Sequence, residues 1–125
     1  MFYSRLPQYL SRAAVAFVFL CFGSWELAAP SHWIFYVPDF VARLADPTLL
    51  VRLHGAALAL IGLAVLLGWW LPVTSGLAAL ILLEIVVGIV LVDGFSELVV
   101  RDVGLLLFTS GLWVQAMRER AAPDA

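Results

Sequence analysis

The sequence predicts an all-α integral membrane protein, a single domain over residues 1–125 that forms a four-transmembrane-helix bundle. The chain is 64% hydrophobic and only 13% charged, and its mean hydropathy is +1.04. A soluble domain of this length could not bury so much apolar surface. Four apolar segments approach the ~20 residues that cross the hydrocarbon core of a bilayer. One of them carries a single charge near its middle, Glu84, and an ionisable residue at that depth usually has a partner.

Composition and spacing exclude several kinds of function. The formal net charge is −2, so the chain offers no basic patch for nucleic acid, and its expected surroundings are the lipid bilayer. A lone cysteine, Cys21, forms no intrachain disulfide. His32 and His54 have no metal-ligand spacing with the scattered acids. No nucleophilic triad, phosphate-binding loop or haem motif is present, so the sequence contains no covalent cofactor site and leaves catalysis open.

The first predicted membrane helix covers residues 13–29, after a short polar arm. A signal peptide is the alternative for a basic start followed by an apolar run, but the apolar pattern continues through residues 24–29. Residues 30–47 are too short and too aromatic to span, and Trp33 and Tyr36 favour the headgroup level. This segment is predicted to be interfacial or re-entrant, with Asp39 capping a short amphipathic helix over residues 40–45.

The remaining membrane helices are predicted over residues 49–71, 73–92 and 98–117, with Thr74 or Ser75 as the N-cap of the third. Four spanning helices place both termini on one side. Arginines flank the two termini, whereas acids dominate the opposite loops. The positive-inside rule then predicts cytoplasmic termini in a bacterial cytoplasmic (inner) membrane.

A spacing repeats in the second and fourth predicted helices. Arg52-x-x-Gly55 is followed by Gly62, and Arg101-x-x-Gly104 is followed by Gly111 at the same interval. Two helix hairpins arranged as parallel repeats explain this pattern. Chance is the alternative, because glycine is common in membrane helices.

Helical spacing also predicts which faces turn inward. The predicted stripes are Arg12, Ala16, Phe19, Gly23 and Glu26 in the first helix, Gly76, Leu80, Glu84 and Gly88 in the third, and Arg101, Gly104, Phe108, Gly111, Gln115 and Arg118 in the fourth. These stripes predict a Glu26–Arg101 ion pair. Arg52 is predicted to face inward with Gly55 and Gly62, which places His54 on the side of the helix, away from the bundle interior. Asp102 is expected to meet Arg52 or lipid headgroups.

Two interpretations of the polar residues follow. In the first, they form a satisfied network that only fixes helix register. In the second, they line a small cavity that opens outward and holds a quinone-like headgroup. The candidate residues are Glu26, Arg52, His54, Glu84 and Arg101, with Trp33 and Tyr36 as a lid. Glu84 is then a neutral carboxylic acid at the floor, and His54 a proton carrier.

A set of short motifs resembles the DoxX-like family of small four-helix membrane proteins. They are Phe22-Gly23-Ser24-Trp25-Glu26-Leu27 with Pro30 and Trp33, Tyr36-Val37-Pro38, His54-Gly55 with Gly62, Leu66-Leu67-Gly68, and Arg101-Asp102-Val103-Gly104-Leu105. The chain departs from the expected pattern at Glu26, where a basic residue is expected, and at Leu58, where an acid is expected.

The resemblance implies an association with quinone-linked membrane redox chemistry. The expected function is a membrane subunit or quinone-interacting component of a redox system, with electrons supplied by a partner oxidoreductase. The alternatives are a non-catalytic scaffold subunit that docks through glycine-rich faces, and a small-solute carrier, which with four helices would need to form a homo-oligomer.

Overall fold

The computed structural model describes residues 2–121, and the regular elements within them are all helical. The four long helices are α1 (Phe2–Ala28), α3 (Pro47–Leu67), α4 (Leu71–Asp93) and α5 (Glu97–Ala121), and a short helix α2 (Asp39–Ala42) precedes α3. The predicted all-α class is therefore confirmed for these residues. The end of the polar tail, residues 122–125, lies outside the described residues.

Helix α1 begins eleven residues earlier than predicted. The helix continues through Pro7, and two polar residues of the expected arm, Gln8 and Arg12, have partners at the ends of other helices. Gln8 Nε2 donates to Glu119 Oε2 at 2.7 Å. Arg12 donates to the carbonyl oxygens of Val65 at 3.1 Å and Leu66 at 2.8 Å, which caps the end of α3.

The turn between α3 and α4 lies earlier in the chain than predicted, at residues 68–70. Helix α3 starts after Asp46, whose side chain accepts from the Thr48 backbone N–H at 3.2 Å, and ends at Gly68 in the left-handed conformation. Helix α4 already begins at Leu71, because Pro72 lies in the first turn, where a missing N–H is tolerated.

The predicted capping of α4 by Thr74 or Ser75 is therefore wrong. The Thr74 hydroxyl donates to the carbonyl oxygens of Trp69 and Trp70, and the Ser75 hydroxyl to that of Leu71. Both hydroxyls are thus bonded within the helix start rather than acting as its N-cap.

Three of the long helices are long and apolar enough to cross a membrane, over Arg5–Ala28, Pro47–Leu67 and Leu71–Asp93. Only 22–28% of each apolar segment is buried within the protein. Large apolar side chains therefore cover the outer surface, as a lipid environment requires.

The helices pack as two antiparallel pairs. The first pair, α1 and α3, approaches so closely that a Cβ atom added at Gly55 would lie 2.8 Å from the carbonyl oxygen of Gly23. Phe19, Gly23 and Glu26 are buried along α1, as the predicted stripe requires. Small residues at this interface let the two backbones meet.

The second pair, α4 and α5, uses different faces from those predicted. Helix α5 buries Val99, Asp102, Thr109, Leu112 and Ala116, whereas the predicted stripe from Arg101 to Arg118 is exposed. Helix α4 buries Thr74, Ser75, Ala78, Ala79, Leu82 and Ile89 and leaves Leu80 and Glu84 exposed. Both helices are rotated from the expected orientation. In α4 the cause is a sequence that is apolar on nearly every side, which gives no facial signal. In α5 the stripe of glycines and arginines that was expected to face inward lies outside.

The segment between α1 and α3 folds as two single 3-10 turns, Pro30–His32 and Ile34–Tyr36, followed by α2. The turns contact α1, α3 and α4, so they connect the two helix pairs at one end of the molecule. Asp39 is the first residue of α2 and does not cap it, since the N-cap is Pro38 without a side-chain bond. The predicted Asp39 cap and the extent of the short helix are thus wrong.

Candidate functional site

A cleft of about 830 Å³ lies between the two helix pairs, in the half of the molecule nearest the 3-10 turns. Its wall is mainly apolar, and every long helix contributes to it. Leu58 and Leu82 form part of its buried wall, while Leu80 and Val87 on α4 are exposed at its edge. A volume of this size accommodates a drug-sized molecule.

Three titratable side chains from three helices form a continuous chain at this cleft. His54 Nδ1 lies 2.8 Å from Glu26 Oε1, and His54 Nε2 lies 2.8 Å from Glu84 Oε1. We refer to Glu26, His54 and Glu84 as the triad. The exposed fraction of the side chain rises along it, from 9% for Glu26 through 26% for His54 to 58% for Glu84.

The geometry of the triad requires an additional proton. An ionised carboxylate only accepts hydrogen bonds, and a neutral imidazole has one N–H donor and one acceptor nitrogen. A neutral His54 between two carboxylates would leave one 2.8 Å contact between two acceptors. The triad is therefore either an imidazolium between two carboxylates or a neutral imidazole beside one carboxylic acid.

Two glycines bring Glu26 within reach of His54. A Cβ atom added at Gly55 would lie 2.8 Å from the Cβ atom of Glu26, and one added at Gly23 would lie 2.7 Å from the Gly55 carbonyl oxygen. Both positions exclude a side chain, so α1 lies directly against the part of α3 that carries His54. The close approach of these backbones positions the buried half of the triad.

The predicted Glu26–Arg101 ion pair is wrong. Glu26 bonds to His54, and Arg101 bonds to its neighbour Asp102, with Nε–Oδ1 at 3.0 Å and Nη2–Oδ2 at 3.4 Å. The rotation of α5 turns Asp102 inward, where it is 4% exposed. The expected contact of Asp102 with Arg52 is replaced by this pair.

Arg52 and His54 exchange the places that the sequence predicts for them. The buried face of α3 is Val51, Gly55, Leu58, Gly62 and Val65. Arg52 lies beside this face and is exposed, without an ion-pair partner within residues 2–121, while His54 lies at the cleft. Gly55 and Gly62 are buried as predicted.

Glu84 has a partner that the sequence interpretation did not find, and with 58% of its side chain exposed it does not form the floor of the cleft as predicted. His54 and Glu84 each lie thirteen residues from the α3–α4 turn, counted from Leu67 and from Leu71. At ~1.5 Å per residue, both lie about 20 Å from the turn and so at the same height in an antiparallel pair. That count uses the helix ends of the structure. From the predicted ends, residues 71 and 73, it gives seventeen and eleven residues, so the sequence alone did not identify the pair.

Aromatic rings form the wall of the cleft beside the triad. Trp33 is at their centre, with ring centroids of Phe22 at 5.5 Å, Trp25 at 5.4 Å and His32 at 5.1 Å, all nearly perpendicular to it. Its Nε1 is buried without a hydrogen-bond acceptor, so its aromatic neighbours hold the ring. Trp33 and Tyr36 both line the cleft, and their role as a lid stays a prediction.

The guanidinium of Arg101 contributes a cation to the same wall. Its Cζ lies 5.3 Å from the centroid of the Phe22 ring, within the range of a cation–π contact. Phe22, Trp25, His32 and Asp102 line the cleft with it. The sequence had placed Asp102 among the outer polar residues, but it had not assigned the other three to the site.

Within residues 2–121, no group of three histidine, cysteine or acidic side chains is arranged to hold a metal ion. In the triad, the two carboxylates bond to opposite nitrogens of one ring and do not converge on a common point. The arrangement is suited to holding and passing a proton, since each contact is a hydrogen bond between titratable groups.

Comparison with protein-family models, with curated proteins and with solved structures gives no match to this chain. The resemblance to the DoxX-like family accordingly stays a prediction based on the sequence motifs.

Proposed function

We propose that the protein is an integral membrane protein whose four long helices all cross the bilayer, with both termini in the bacterial cytoplasm. Three helices have the required length and composition. The fourth, α5, has 25 residues and packs against α4, and its inward Asp102 is bonded to Arg101. A charge paired in this way is tolerated within a helix bundle.

We propose further that the cleft binds a lipid-soluble molecule of the quinone class, in its reduced, hydroxyl-bearing form. The observation that carries this proposal is the triad at the wall of a large apolar and aromatic cleft. Pockets of this kind, with few polar groups among apolar ones, are typical ligand sites.

Hydrogen-bonding capacity at the triad favours the reduced form. Both nitrogens of His54 and two nitrogens of Arg101 already bond to carboxylates. At the triad, Glu26 Oε2 and Glu84 Oε2 have no donor among the described residues, so the atoms free to bind there are acceptors. Trp33 Nε1 and the remaining N–H groups of Arg101, elsewhere in the cleft wall, can donate to the oxygens of either form. A quinol offers two O–H donors to such acceptors, whereas a quinone offers only carbonyl oxygens.

In this role the chain is a membrane component of a redox system. Oxidation of a quinol releases two protons and two electrons. The triad receives the two hydroxyl protons of the bound quinol one after the other and passes each along Glu26, His54 and Glu84 to water. The two electrons leave to a partner oxidoreductase, the reverse of the direction expected from the sequence.

The first prediction concerns the molecules that remain bound after gentle purification. Mass spectrometry of the full chain in lipid nanodiscs should find quinone or quinol enriched above empty nanodiscs. Glu84→Gln removes the more accessible carboxylate and should lower that enrichment by about tenfold, the effect of losing roughly 1.4 kcal/mol of binding energy.

Glu119→Gln is the matched control, because Glu119 lies at the far end of α5, about 33 Å along the helix from Glu97. It should retain the wild-type enrichment. Quinone content equal to that of empty nanodiscs would overturn the proposal, and a stably bound protein partner without quinone would favour a scaffold subunit instead.

A further inference from the structure

The charges around the cleft do not cancel. Three carboxylates line it, those of Glu26, Glu84 and Asp102, and Arg101 is the one arginine in its wall. Arg101 is bonded to Asp102, so its charge is already neutralised. The triad then carries a net charge of −1 with its additional proton and −2 without it.

The aromatic wall accepts positive charge. Arg101 already places its guanidinium over Phe22. Trp25, Trp33 and Tyr36 line the same cleft, and the faces of such rings attract cations, tryptophan most strongly. Carboxylates and aromatic rings in one apolar space form the chemical environment of an organic cation with a large apolar body.

We propose that the cleft binds lipophilic organic cations in exchange for the additional proton of the triad. The apolar body lies against the cleft wall, and the positive charge lies between the aromatic rings and the carboxylates. This proposal relies on the cleft being open to ligands, as the proposed function does, but it requires no quinone and no redox partner.

The exchange conserves charge. The additional proton of the triad and the incoming cation each bring one positive charge to the same carboxylates. Binding of the cation therefore favours release of the proton to water. The other titratable groups facing the triad are Asp102 and Arg101 on α5 and His32 and Tyr36 on the 3-10 turns. Asp102 and Arg101 neutralise each other. The charge available for the exchange is therefore that of the triad.

The test compares two probes of the same shape and opposite charge, tetraphenylphosphonium and tetraphenylborate, on the purified full chain in detergent. Equilibrium binding should show one saturable site for tetraphenylphosphonium, at least about tenfold tighter than any binding of tetraphenylborate. Equal affinities, or no saturable binding of the cation, would overturn the proposal, and this comparison needs no variant.

Two further readouts locate the site. Glu84→Gln should weaken binding of tetraphenylphosphonium by about tenfold, while Glu119→Gln should bind as the wild type does. A pH indicator in weakly buffered solution should record release of about one proton per bound cation. Unchanged binding in Glu84→Gln, or no proton release in the wild type, would contradict exchange at the triad.

The two proposals fail separately. A chain that binds tetraphenylphosphonium but carries no quinone retains the cation site and loses the redox role. A chain enriched in quinone that does not discriminate between the two probes retains the redox role and loses the cation site.

Discussion

His54 is the residue on which the polar chemistry of the cleft depends. It bonds to a nearly buried carboxylate on one side and to an accessible one on the other. Without the imidazole, the Glu26 carboxylate would lose its hydrogen-bond partner, although the residue as a whole is only 7% exposed. A buried polar group left without a partner is destabilising by about 1–3 kcal/mol.

The residue-scale prediction follows from that loss. His54→Leu should lower the thermal unfolding midpoint of the protein in detergent, by an amount equivalent to about 1–3 kcal/mol. Glu26→Gln should be destabilising too, and the double variant should lose less stability than the sum of the single changes, because both remove the same contact.

Arg52→Gln is the matched control for His54→Leu. Arg52 lies two residues away on α3, is exposed, and has no ion pair within the described residues. Its replacement should leave the midpoint nearly unchanged. Additive effects of His54→Leu and Glu26→Gln would show that the two side chains do not interact.

At the scale of helices, the repeated spacing of arginine and glycine has different roles in the two pairs. In α3, Gly55 and Gly62 lie against α1, and a Cβ atom added at either would come within 2.8 Å of another atom. In α5, an added Cβ atom at Gly104 or Gly111 meets nothing within 4 Å. The sequence likeness therefore does not extend to packing, and the proposed duplication gains no support from it.

These glycines give the element-scale prediction. Gly55→Ala should separate α1 from α3 and clearly lower thermal stability, since both clashing atoms belong to backbone or to a Cβ atom. Gly104→Ala should be neutral or stabilising by up to about 1 kcal/mol, because alanine is the better helix former. A comparison of unfolding midpoints tests both, and similar losses in the two variants would contradict the packing described.

The sequence predicts the orientation of a helix well only where small or polar residues mark one of its faces. Hydrophobic length places all four long helices approximately, and the α1 stripe through Phe19 and Gly23 is correctly oriented because small residues mark it. Helix α4 gives no comparable signal, since apolar side chains cover nearly its whole circumference. In α5 the glycines of the predicted stripe lie on the exposed face, so small residues misled the prediction there. Adjacent Arg101 and Asp102 then leave two orientations open, and the packing against α4 selects the one with Asp102 inside.

At the scale of the whole molecule, the triad joins the two helix pairs. Glu26 and His54 belong to the first pair and Glu84 to the second, so the cleft between the pairs is bridged by one hydrogen bond. Sequence reasoning found each of these residues and the aromatic turns, yet it assigned the wrong partners. Partner choice depends on helix rotation and on height along antiparallel neighbours, and residue counts give the height only once the helix ends are known.

The most direct test of this account is a nitrogen NMR spectrum of the histidine ring in lipid nanodiscs. His32→Asn leaves His54 as the only histidine of the chain. Both ring nitrogens of His54 should show shifts of hydrogen-bonded nitrogen, with Glu26→Gln and Glu84→Gln each altering mainly the nitrogen that it faces. A ring nitrogen with the shift of a free, unbonded acceptor, unaffected by either substitution, would contradict the triad and the cleft chemistry built on it.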